Sequence, residues 1–121
     1  MRPWYRPDVP NDEAASSITA RIVLSTFPTL DNAAEVGRVL VTERLAACVN
    51  LVPTVRSIYR WQDAVHDETE TLAIIKTTVD RLAALAARLV ELHPYDVPEV
   101  VALPVVGGHA PYLAWITDST K

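Results

Sequence analysis

At 121 residues, half of them hydrophobic, the chain has the length of one domain that buries about two thirds of its unfolded surface. A net charge of −4 with no cluster of Lys or Arg excludes the basic footprint of a nucleic-acid binder or of a protein held on anionic membrane, so neither partner is expected. No apolar run of about 18 residues is present to span a bilayer, and the single cysteine, Cys48, has no mate for an internal disulfide, which fits a reducing cytoplasm.

Residues 1–17 (MRPWYRPDVPNDEAASS) carry three prolines and no apolar signal-peptide core. They read as a disordered leader ahead of a single domain spanning residues 18–121. Residues 18–26 (ITARIVLST) form a first, largely buried strand that ends at Phe27-Pro28. Asp31 is placed to cap the helix that follows, with Glu35 in its first turn. Val36, Val39, Leu40 and Ala47 make that helix's apolar stripe over about 16 residues, or about 24 Å. Gly37 lowers helix propensity there and predicts close packing against the sheet.

Residues 46–77 then read as one long β-hairpin. Its first arm, residues 49–61, spans about 40 Å at roughly 3.3 Å per residue, farther than the preceding helix can shelter. Val55, Ser57, Tyr59 and Trp61 alternate onto one face of that arm, and Arg56, Ile58 and Arg60 onto the other. Pro53, which has no N–H for a ladder, predicts a bend or bulge. The turn is expected within residues 62–68, and the return arm over residues 69–77. The exposed Val55, Ile58, Tyr59 and Trp61 of the overhang call for a cover, and a second copy of the chain supplies one.

A second helix starts near Thr78. Leu82, Leu85, Leu89 and Leu92 recur at steps of three and four, and Pro94 forbids continuation. Residues 98–106 (PEVVALPVV) form a fourth strand, with Pro104 marking an edge or bulge. Gly107-Gly108 breaks it, and residues 111–117 close the chain as a short helix returning Tyr112, Leu113 and Ile116 to the body. The order strand, helix, strand, strand, helix, strand is the split βαβ arrangement of the α+β class: a ferredoxin-like fold with helices on one face of an antiparallel sheet. The uncovered face is a second reason to expect a closed, cyclic oligomer.

These residues also carry a resemblance. ERLAACVNLVPTVRSIYRWQDAVHDETETLAIIKTT (residues 43–78), HPYDVPEVVALPV (residues 93–105) and YLAWI (residues 112–116) resemble the CutA, or divalent-cation tolerance, family in order and spacing. The resemblance implies a cytoplasmic ferredoxin-like homotrimer with its long hairpins wrapped between subunits and a shape similar to PII-type signalling proteins. It also implies tolerance to divalent metals, binding of copper or another divalent ion, no organic cofactor and no settled enzymatic reaction. Ser25 stands where some members carry a second cysteine, which weakens a multi-cysteine metal site within one subunit.

The candidate chemistry has two centres. Cys48 offers the soft thiolate that copper(I) prefers, or a small buried hydrophobe. His93, Tyr95 and Glu99 sit in HPYDVPE, where two prolines stiffen a loop holding an imidazole, a phenol and a carboxylate. Burial at the start of a strand raises the pKa of Glu99 unless Lys76, Arg56 or an imidazole supplies a counter-charge. His93 alone could cap the second helix. The resemblance gathers Tyr59, Trp61, Lys76, His93, Tyr95 and Glu99 into a cleft between subunits, making Cys48, His93 and Glu99 the metal candidates and Tyr59, Trp61, Lys76 and Tyr95 the ligand cleft. His66, Asp67, Glu68 and Glu70 read as a solvated hairpin tip, matching no calcium loop or zinc pair. His109 reads as a loop residue. With no nucleophile elbow, phosphate loop or paired catalytic carboxylates, the chain is expected not to be an enzyme. Two functions remain: a trimeric metal-binding tolerance protein, or a PII-like sensor or scaffold whose cleft takes a small metabolite or partner protein.

Overall fold

The computed structural model describes residues 18–121, so the leader expected over residues 1–17 lies outside the described residues. In chain order the elements are β1 (Ala20–Phe27), α1 (Leu30–Thr42), β2 (Cys48–Trp61), β3 (Ala64–Thr78), α2 (Val79–Leu92), β4 (Val101–Pro104) and α3 (Ala110–Ser119). The strands make one antiparallel sheet in the order β2-β3-β1-β4, the ferredoxin-like split βαβ arrangement with an added C-terminal helix. Among the described residues no helix is long and apolar enough to cross a membrane.

The cap of α1 is Thr29, not Asp31. Thr29 is extended (φ −140°, ψ 158°), and its hydroxyl accepts the Asn32 N–H at 3.0 Å; Asp31 falls in the first turn, where a carboxylate still suits the helix dipole. The helix has 13 residues and stops before Arg44, whose φ of 61° takes the chain out of the helix. Ala47 therefore lies outside α1, packed with Ala20 and Ile116 in a small second cluster. Gly37 does pack closely: a Cβ built there would stand 3.2 Å from Val49 Cγ1 on β2.

The hairpin is longer than its sequence suggests, with arms of 14 and 15 residues. Its turn is only Gln62-Asp63, both with positive φ (50° and 64°), the mirror-image turn whose twist matches the strands it joins. Trp61 therefore pairs with Ala64, and His66, Asp67 and Glu68 lie in β3 rather than in the turn expected over residues 62–68. Near the body, Val52 pairs with Leu72 but Val55 pairs with Glu70, so Pro53 and Thr54 oppose Thr71 in a bulge, with Thr54 at φ 61°.

Alternation along the strands sorts the two faces. Val23, Phe27, Ala73 and Ile75 face α1 and α2, where Leu40, Leu85 and Leu89 close the core at zero exposure. Ile22, Leu24, Leu72 and Ile74 alternate with them onto the opposite face, which α3 covers only at the end near Ala20 and Lys76. β4 is shorter than the expected residues 98–106. Its four residues pair only with β1 at the sheet edge and stay exposed, because residues 94–100 are used to carry the chain around the end of β1.

Candidate functional site

The loop between α2 and β4 is pinned by one imidazole. His93 ends α2, and its Nδ1 accepts the Tyr95 N–H at 3.1 Å, which leaves Nε2–H to donate to the Thr26 carbonyl at 2.9 Å. The ring stacks on Phe27 at 4.3 Å and is nearly buried. Desolvation lowers its pKa, a shift opposed by the Thr26 carbonyl and by the charge of Glu70. Both ring nitrogens are thus spent on holding the loop, and neither is open to a metal.

Held this way, Tyr95 donates its hydroxyl to Glu70 Oε2 at 2.7 Å. Burial, and then Glu70, raise the phenol's pKa well above its ordinary value. Across the hairpin Tyr59 donates to Glu68 Oε2 at 2.9 Å, and that bond is the main reason its own pKa is raised; its ring stacks on His66 at 5.2 Å. Between the hairpin and the residues 94–99 loop lies an open cleft of about 810 Å³, lined by Thr26, Tyr59, Trp61, Glu68, Glu70, Tyr95 and Glu99 among others.

The carboxylates of this cleft have no cationic partner among the described residues. Arg56 reaches the rim, but its guanidinium is spent on a bidentate pair with Asp67 at 2.8 and 2.7 Å. Lys76 lies elsewhere, donating to the Tyr112 hydroxyl at 3.1 Å. Without a counter-charge, burial and then the charge of Glu70 raise the pKa of Glu99.

Cys48 is half-buried at the start of β2, its Sγ 3.6 Å from Asn50 Oδ1, and in the sheet it lies opposite Lys76 of β3. Lys76 is six residues along β3 from Glu70, about 20 Å at roughly 3.3 Å per residue. One subunit therefore brings Tyr59, Trp61, Tyr95 and Glu99 together, while Cys48 and Lys76 stand apart from them. Among the described residues, no three His, Cys, Asp or Glu side chains form a group that could hold a metal ion. His109 occupies the position just before α3, and its side chain makes no capping hydrogen bond.

Glu68 and Glu70 are the cleft residues that sequence reasoning passed over as solvated tip. Glu70 is only 7% exposed. The available signal was their alternation with Leu72 and Ile74 along the return arm, which becomes visible once the turn is limited to Gln62-Asp63.

A family model described as CutA1 divalent ion tolerance protein matches residues 21–119. The chain belongs to that family. The divalent-cation tolerance protein CutA of Thermus thermophilus is 48% identical over 99 residues, covering 82% of this chain and 96% of its own. The chloroplastic protein CutA of Arabidopsis thaliana is 39% identical over 110 residues, covering 91% of this chain, which spans 60% of the plant protein's length. Among solved structures, CutA from Xylella fastidiosa superposes with a TM-score of 0.83 at 41% identity, covering 85% of this chain and 99% of its own. CutA from Synechococcus elongatus superposes at 0.85 and 34% identity, covering 91% and 96%. The residues matched by the family model include the long hairpin and the cleft loop.

Proposed function

We propose that this chain serves divalent-cation tolerance as a cytoplasmic homotrimer that binds a divalent metal ion, copper foremost, without catalysing a reaction. The observation that carries this reading is the set of cleft carboxylates, Glu68, Glu70, Asp96 and Glu99, with no cationic partner among the described residues, in a family named for divalent ions. Since the described residues of one chain converge no group of three metal ligands, the site is completed between subunits, with Cys48 as a soft donor, Glu99 as a hard one and His93 as the residue that positions the loop. The half-covered sheet and the projecting hairpin support the assembly: Ile58 is 66% and Val65 65% exposed on that overhang.

The test is metal content by elemental analysis alongside a light-scattering mass on the same sample. Stoichiometric copper on a particle of three chains, lost in Cys48→Ala, is the expected result. A monomer, or copper affinity unchanged by Cys48→Ala, overturns it.

A second reading, a PII-like sensor or scaffold that takes a small ligand in the cleft, is favoured by one specific observation. Tyr59, Trp61 and Tyr95 line a space of about 810 Å³, within the range of small-molecule sites and richer in aromatic surface than a metal requires. Native mass spectrometry of metal-free protein retaining an adduct that Glu99→Gln loses would support this reading over the first.

A further inference from the structure

We draw no further inference here: the strongest candidate, the open groove between α1 and α2 that Val36, Val39 and Leu92 line with Glu35, Arg38 and Glu43, carries nothing, because nothing in the structure shows what covers it.

Discussion

The body of the sheet and the far half of its hairpin are built from the same two strands, yet they are held in different ways. Near the body, β3 lies between β1 and β2 under two helices, and Phe27, Ile75, Leu85 and Leu89 are all but sealed from water. Past the bulge at Pro53 and Thr54, β2 and β3 pair with no other described strand, the Tyr95 hydroxyl reaches them at Glu70, and Ile58, Trp61 and Val65 are left open. Side chains in the first region are explained by what they touch within the chain. Those in the second are not, and a strand pair of this length, with apolar side chains exposed, is shaped for something outside its own subunit.

The comparison breaks first in the body. Leu89→Ala empties a position at zero exposure beneath the sheet and should lower stability by about 3 kcal/mol, read by urea denaturation at one fixed protein concentration. A loss under about 1 kcal/mol would mean that the body is not the self-sufficient half. Trp61→Ala should instead spare the subunit fold and loosen the assembly by about 2 kcal/mol, seen as a light-scattering mass that falls on dilution. If Trp61→Ala changed urea denaturation of the isolated subunit as much as Leu89→Ala does, the contrast between the regions would fail.

Much of the body was legible because its signals are periodic. Leu82, Leu85, Leu89 and Leu92 fall on the core face of α2 or beside it, Gly37 meets Val49, and Pro53 sits at the bulge, each for the reason its chemistry suggests. The misread features depend on register, which is set by the turn and not by composition. Asp31 and Thr29 are equally good caps in sequence; the chain leaves Phe27-Pro28 extended through Thr29, so the earlier residue wins. The acidic run after Trp61 suggests a broad turn, but positive φ at Gln62 and Asp63 closes the hairpin in two residues and draws Glu68 and Glu70 into the cleft wall. The apolar residues 98–106 suggest a long strand, although only Val101–Pro104 can reach β1 after the loop has rounded its end. His93 was read as a ligand or a helix cap; its hydrogen bond to Thr26, 67 residues away, has no local signature.

That hydrogen bond ties the loop after α2 to β1 and predicts a moderate pH effect. His93 has a folded pKa below its ordinary 6.5 because its ring is desolvated against Phe27. The unfolded chain thus binds more protons than the folded one below that value, so stability is complete above pH 6.5 and is lost as pH falls through it toward the folded pKa. A proton on Nδ1 would also oppose the Tyr95 N–H it now accepts, releasing the loop before the body. Amide exchange at Tyr95 and Glu99 should therefore quicken on acidification through this window ahead of exchange at Leu85 and Leu89. Equal acceleration at both places would show that the loop and the core open as one unit.

The smallest expected effect sharpens the contrast most. Arg56 and Asp67 form a bidentate pair across the hairpin with both partners well exposed, 73% and 42% at the side chain. In a solitary subunit such a pair is screened by solvent, so Arg56→Ala should leave urea denaturation unchanged within error. In an assembly whose neighbouring chain covers the overhang, the same pair is desolvated, and losing the guanidinium leaves Asp67 as a buried charge without a partner. Arg56→Ala should then shift the assembly equilibrium measurably while the subunit's own unfolding stays fixed. A variant silent in both measurements would place Arg56 in open water even in the oligomer, and would move the intersubunit contact away from this part of the hairpin.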